Sequence, residues 1–267
     1  MFGLIGAGNM GGAILRGILK QNMLRPENVL FYDANQELCK EISQNLGVAC
    51  AKSNCELAKQ CDRILLAVKP VYLSGVIDEI RQESEGKVIL SIAAGWSREK
   101  LQAAFGANHT ARILRVMPNT PALVREGYTA LCAENNLTPE ELLWAKQLFS
   151  AIGQVELLPE RLFDGVIAVS GSSPAYVYML IEAMADGGVR LGLSRPMAIQ
   201  AAAQAVLGSA KMVLETHQHP AVLKDQVCSP GGTTIEAVQA LEQRGFRGAV
   251  LEAMNACAEK SRSLNRE

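Results

Sequence analysis

An apolar run at residues 2–5 breaks at once into Gly6-Ala7-Gly8-Asn9-Met10-Gly11, and a helical pattern follows over residues 12–20. Three glycines in G-x-G-x-x-G spacing suit a chain that turns sharply, admits another group against its backbone, and then packs a helix closely on the strand it has left. The unit closes with a second β-rich run at 29–32. A lone glycine pattern says little, but one set between a strand and a helix, with a second strand after, is the cradle of a dinucleotide pyrophosphate. Strands joined through a helix run parallel, and a parallel sheet needs helices on both of its faces.

The alternation continues. Further β-rich runs fall at 64–68, 88–92, 113–117, 128–132 and 155–158, with helical patterns at 36–46, 97–105 and 139–151, the last announced by Thr138 and Pro139. After Pro159 the strand signal disappears. Ile199, Ala203, Val206, Ala210 and Val213 keep helical spacing, as do Phe246, Val250, Met254 and Cys257. We expect an α/β protein: an N-terminal Rossmann-type doubly wound sheet over 1–158 that binds a dinucleotide, and an all-helical C-terminal domain over 159–267. A length of 267 residues suits two domains.

Composition removes several classes of function. Lysine and arginine (26) nearly cancel aspartate and glutamate (27), which leaves no concentrated basic character for nucleic acid or an anionic membrane surface. Seven cysteines without a C-x-x-C pair, and three histidines, offer no metal-ligand spacing; scattered thiols suit a reducing compartment. The apolar N-terminus has no charged leader, and the apolar stretch 197–214 carries Gln200, Gln204 and Lys211, so neither a signal peptide nor a membrane span is expected. The expectation is a soluble cytoplasmic protein whose partners are small molecules and its own kind.

At the cofactor end, Asp33 closes the second β-run about 20 residues beyond the glycine turn, where an acid holds the ribose hydroxyls of NAD. Alternatively Asp33 caps the helix at 36–46. No arginine follows that strand to favour NADPH, although Asn35 could hydrogen-bond a phosphate. Three more β-runs end in Ala67-Val68-Lys69-Pro70, in Ala93-Ala94-Gly95 and in Pro118-Asn119. Carboxyl ends of parallel strands line the ligand crevice, so these residues join Gly6, Ala7, Gly8, Asn9, Met10, Gly11 and Asp33 as candidate cofactor contacts. Lys69 would offset pyrophosphate charge, and the small Ala93 and Ala94 would leave room for a nicotinamide.

Near the other end, Cys228-Ser229-Pro230-Gly231-Gly232-Thr233-Thr234 runs into an amphipathic helical pattern marked by Ile235, Val238 and Leu241. Glycines that leave amides uncovered, flanking hydroxyls and the positive end of a helix dipole make a seat for a small carboxylate. A competing use is local: Thr233 and Glu236 stand in the T-x-x-E spacing of a capping box. Glu182 and Asp186 share one helical face as solvated or interface residues, and His109, His217 and His219 lie in polar, loop-like contexts.

These residues resemble the pyrroline-5-carboxylate reductase family. The likeness spans essentially the whole chain and rests on Gly-Ala-Gly-Asn-Met-Gly from Gly6, Ala-Val-Lys-Pro from Ala67, Met-Pro-Asn-Thr-Pro-Ala from Met117, Gly-Ser-Ser-Pro-Ala-Tyr from Gly171, and Ser-Pro-Gly-Gly-Thr-Thr from Ser229. It implies reduction of 1-pyrroline-5-carboxylate to L-proline by NADPH or NADH, the last step of proline biosynthesis. It also implies an interlocked homodimer, often built into a larger ring such as a homodecamer, with active sites drawing on two subunits.

The chemistry of such a substrate, a cyclic imine bearing one carboxylate, agrees with the residues present. Amides of Gly232, Thr233 and Thr234 with the Ser229 hydroxyl would bind the carboxylate, Gly231 belonging to the same substrate-binding turn, and the Thr234 hydroxyl, the expected catalytic group, would reach the ring nitrogen. Related 3-hydroxyacid dehydrogenases carry a lysine shortly after a similar glycine-rich loop. Residues 175–184 contain none, which favours imine reduction over alcohol oxidation. A cofactor-binding regulator without turnover would leave the anion seat unexplained.

Overall fold

The computed structural model describes residues 1–266. The chain divides into two compact units, Met1–Ser172 with the segment from Cys257 on, and Ser173–Ala256. Strands end at Leu158, while the first unit runs on to Ser172.

The first unit contains β1 (Phe2–Ile5), α1 (Asn9–Lys20), β2 (Val29–Tyr32), α2 (Gln36–Leu46), β3 (Ala49–Cys50), α3 (Asn54–Gln60), β4 (Arg63–Leu66), α4 (Pro70–Ile80), β5 (Val88–Ser91), α5 (Arg98–Phe105), β6 (Arg112–Met117), β7 (Gly127–Cys132), α6 (Pro139–Ser150) and β8 (Gly153–Leu158). They form one sheet in the order β3-β2-β1-β4-β5-β6-β7-β8. Neighbouring residues on a strand serve opposite cores, as the two-residue period requires. Leu4, Phe31, Leu65, Leu90 and Leu114 pack with α1, α2 and α6 on one face. Ile5, Leu30, Ile64, Leu66, Ile89 and Ile113 pack with α3, α4 and α5 on the other. The sheet is doubly wound.

One part departs from an all-parallel reading. β1 to β6 are parallel, but β7 pairs antiparallel with β6 and β8 parallel with β7. The cause lies in the connections. Between β6 and β7 there is only a 3-10 turn, Thr120–Val124, too short for a crossover, whereas α6 carries the chain from β7 to β8. Thr138 and Glu141 form the capping box that starts α6.

After β8 the chain becomes helical through a 3-10 turn (Glu160–Leu162), α7 (Phe163–Val166), a π-helical turn (Ile167–Gly171) and α8 (Ser173–Arg190). The second unit adds α9 (Arg195–Thr216), α10 (Pro220–Val227), α11 (Thr233–Gln243) and the start of α12 (Phe246–Arg266). Glu160–Arg190 and Arg195–Thr216 are long and apolar enough to cross a membrane by length and composition alone. In the second unit the buried apolar residues among those described are Ala185, Ala198 and Ala202, while Met179, Leu191, Met197, Leu214 and Leu251 are exposed.

The start of the helical run is tied to the sheet by charge. Arg115 of β6, 3% exposed, donates to Glu160 at 2.8 Å and lies 4.6 Å over the Phe163 ring. The same Glu160 oxygen accepts from the Arg98 amide at 2.8 Å, in the first turn of α5. Replacing Glu160 by alanine would strand the guanidinium, with an expected cost of about 3–5 kcal/mol, whereas Arg115→Met with Glu160→Leu should regain most of it. Urea unfolding followed by circular dichroism reads both, and an unchanged midpoint for the single variant would remove this role.

Candidate functional site

The strand order reverses between β1 and β4, and ligands of open α/β sheets bind at the carboxyl ends of the strands beside such a point. The turn after β1 is shaped for it. Gly6 adopts φ +92°, and a Cβ on Gly11 would lie 2.0 Å from the Gly6 carbonyl oxygen. A Cβ on Gly8 would meet nothing within 4 Å, so this residue faces open space, as a close approach to phosphate requires. α1 begins at Asn9, earlier than the pattern over 12–20 suggests, with Gly8 as its N-cap and no side chain bonded to the cap. The amides of Asn9, Met10 and Gly11 therefore belong to the first helical turn, whose donors lack intrahelical partners.

A cleft of about 610 Å³ opens here, and its walls include Gly6, Gly8, Asp33, Ala67, Val68 and Lys69. Asp33 is not the helix cap. Asn35 is, its Oδ1 accepting from the amides of Glu37 and Leu38 at 3.1 and 3.2 Å. The Asp33 carboxylate accepts from the Ala7 amide at 2.7 Å and from the Asn35 amide at 2.9 Å, which locks the glycine turn to the end of β2. Pro70 stands at the first position of α4, with Lys69 before it as N-cap. The open cradle at Gly8, the free first-turn amides and the fixed acid fit a nicotinamide dinucleotide.

The remaining candidates also make contacts within the fold. Ala93 is buried in the core on the α3–α5 face, and a Cβ on Gly95, whose φ is +74°, would lie 3.0 Å from Leu264 Cβ. Ala94 is half-buried beside them and Pro118 is buried; neither lines the cleft. Asn119 is 9% exposed with its amide fully used. Its Oδ1 accepts from the Tyr128 amide at 2.9 Å, and its Nδ2 donates to the Ser170 carbonyl and hydroxyl at 3.2 and 3.0 Å. It braces the π-helical turn.

Asn54 and Glu79, also on the cleft wall, escaped the sequence reading. Asn54 Nδ2 donates to Glu79 at 2.8 Å, and its Oδ1 is buried without a hydrogen-bond partner. An asparagine in the first turn of a short helix gives no signal of its own.

The Ser229–Thr234 segment joins α10 to α11. The Gly232 amide donates to the Ser229 carbonyl at 3.0 Å around Pro230 and Gly231, the latter at φ +64°, which is the type II pattern of proline followed by a left-handed glycine. A Cβ on Gly232 would lie 2.4 Å from Ser229 Oγ, so only glycine fits with the hydroxyl there. Gly232 is itself the N-cap of α11 and no side chain bonds to the cap. The capping box does not form, because Thr233 already stands at the first helical position. Thr233 and Thr234 keep their hydroxyls free of it, Thr234 being half-buried.

The histidines serve local structure. The His109 ring, 4% exposed, hydrogen-bonds the Arg81 carbonyl at 2.7 Å and accepts from the Ala111 amide at 3.1 Å. His219 caps α10 through Nδ1, and His217 ends α9 at φ +55°. Asp186 is paired with Arg195 at 2.6 Å.

Known proteins match both parts of the chain. A family described as pyrroline-5-carboxylate reductase dimerisation covers residues 160–264, and one described as NADP oxidoreductase, coenzyme F420-dependent, covers residues 1–95. The pyrroline-5-carboxylate reductase of Escherichia coli (strain K12) is 46% identical over 265 residues, 99% of this chain and 98% of its own. That of Methanosarcina acetivorans is 41% identical over 266 residues, again 99% and 98% of the two chains. The crystal structure of Plasmodium falciparum pyrroline carboxylate reductase with NADP bound superposes with TM-score 0.89 at 34% identity, covering 99% of this chain and 97% of that one. The glycine turn and the Ser229–Thr234 turn thus lie inside a likeness that runs nearly end to end, and the chain belongs to the pyrroline-5-carboxylate reductase family.

Proposed function

We infer that this chain reduces 1-pyrroline-5-carboxylate to L-proline with NADPH or NADH, the last step of proline biosynthesis, and that Thr234 acts on the ring nitrogen. The observation that carries the assignment of the substrate seat is the bare N-terminus of α11: its leading amides follow a Pro-Gly-Gly turn and no side chain of its own closes it. A carboxylate there accepts from the amides of Gly231, Thr233 and Thr234 and from the Ser229 hydroxyl, in the field of the helix dipole, while the Gly232 amide, bonded to the Ser229 carbonyl, holds the turn in shape.

The Thr234 hydroxyl, one position further along α11, accepts from the protonated imine nitrogen and fixes the ring. When bound, the reduced nicotinamide supplies the hydride that the imine carbon receives. No general acid is required at that carbon, because the substrate cation is already electrophilic and its charge is cancelled as the C–H bond forms. The secondary amine then takes its proton from solvent. On the cofactor side, the amides following Gly8 hold the pyrophosphate, Asp33 the ribose hydroxyls, and Lys69 offsets phosphate charge. Ala7, Asn9, Met10, Gly11, Ala67, Val68, Pro70, Ala93, Ala94, Gly95, Pro118 and Asn119 complete the proposed cofactor shell, several of them by shaping it.

The enzyme is a homo-oligomer, and we assign it dimers built into a decamer. The exposed apolar residues of α8, α9 and α12 supply the surface that such an interface covers. A cytoplasmic location suits its thiols: burial pushes Cys61 up to about 11 and Cys132 to about 12, keeping both protonated.

Thr234→Ala should lower kcat by about 10–100-fold, the scale of one hydrogen bond to a charged group, with the cofactor Kd unchanged. Steady-state kinetics beside nicotinamide fluorescence titration separate the two, and an unaltered kcat would refute the assignment. Gly232→Ala should raise KM for pyrroline carboxylate by about tenfold or more through the forced movement of Ser229; an unchanged KM would take the carboxylate away from this turn. Sedimentation equilibrium should show multiples of a dimer, and monomer alone would contradict the assembly.

A further inference from the structure

We propose that this chain takes NADH in preference to NADPH, because the end of β2 is closed against a 2'-phosphate. The proposal rests on the cofactor reading above and adds which of the two cofactors the site selects. Asp33 supplies the first reason. Its two carboxylate oxygens accept from the amides of Ala7 and Asn35 at 2.7 and 2.9 Å, and its carbonyl accepts from Cys39 Sγ at 3.3 Å. To swing aside, the carboxylate would have to release two main-chain donors. Its charge therefore stays on the cleft wall, able to accept from ribose hydroxyls and placed to repel a phosphate.

The second reason is the helix that follows. The N-terminus of α2 would be a ready seat for a 2'-phosphate. Here the amides of Glu37 and Leu38 are already taken by Asn35 Oδ1, and Glu37 adds a carboxylate to the first turn. The third is the lack of a partner: among the described residues lining the cleft there is no arginine, and the one lysine, Lys69, stands at the end of β4. Glu79 contributes a second acid to the same wall. A solved relative carries NADP, so the fold itself does not decide the choice and side chains such as these must.

Equilibrium binding tests this without turnover. The assembled full-length protein is titrated with NADH and NADPH by nicotinamide fluorescence, and with ADP and 2',5'-ADP by calorimetry. We expect NADH and ADP to bind at least about tenfold more tightly than their 2'-phosphorylated counterparts. Ala34→Arg places a guanidinium at an exposed position of the cleft wall and leaves the bonds of Asp33 and Asn35 in place; it should tighten NADPH binding by about tenfold. Equal or tighter binding of NADPH by the unaltered protein would overturn the preference, and a gap that Ala34→Arg leaves unchanged would overturn its electrostatic cause. Failure to turn over pyrroline carboxylate with either cofactor, while the binding difference persists, would instead refute the assigned reaction and support the preference.

Discussion

The close approach of Gly11 to the Gly6 carbonyl sets the geometry on which the cofactor cleft depends. With a Cβ 2.0 Å from that oxygen, no other residue could let α1 start so near the end of β1. That nearness aims the first amides of α1 at the sheet's switch point. It also places the Ala7 amide within reach of Asp33 on the neighbouring strand. Turn, helix and acid are thus fixed by one contact, and the ligand meets donors that need no reorganisation.

A common economy of charge runs through both proposed ligand seats. Each relies on main-chain amides at a helix start, with hydroxyls or a single anchored carboxylate beside them, and neither calls on a histidine. That suits a reaction in which a cation is neutralised by hydride, since a strong acid or base would have nothing to do at the reacting carbon. The substantial ionic investment lies elsewhere, in Arg115 and Glu160, where it braces the passage from sheet to helices.

Strong local patterns were legible in the sequence. β1, β2 and α2 fall at the residues their spacing indicates, and Thr138 starts α6 with the box that Glu141 completes. What escaped depends on relations between distant residues or on connection length. Alternation alone does not reveal strand direction, so the reversal at β7 had to await the short link after β6. α4 was hidden because Pro70, read as the end of a strand, also opens the helix. Arg115 and Glu160 carry no shared motif, and the bonds of the Asn119 amide to Tyr128 and Ser170 join residues too far apart in the chain to be read from Met-Pro-Asn. At α11 the T-x-x-E spacing was real, but the cap fell one residue earlier, on Gly232.

The small interior of the second unit has a consequence for how such an enzyme comes into being. Three buried alanines are a slight core for five helical segments, and many of the larger apolar side chains of those helices lie on the surface of the single chain. Subunit association must therefore finish the folding of this half, which makes its stability a function of protein concentration. Dilution would lower the fraction of competent enzyme, and a newly made chain would gain full stability only after meeting another. The quantity of enzyme synthesised would then govern its lifetime as well as its total activity.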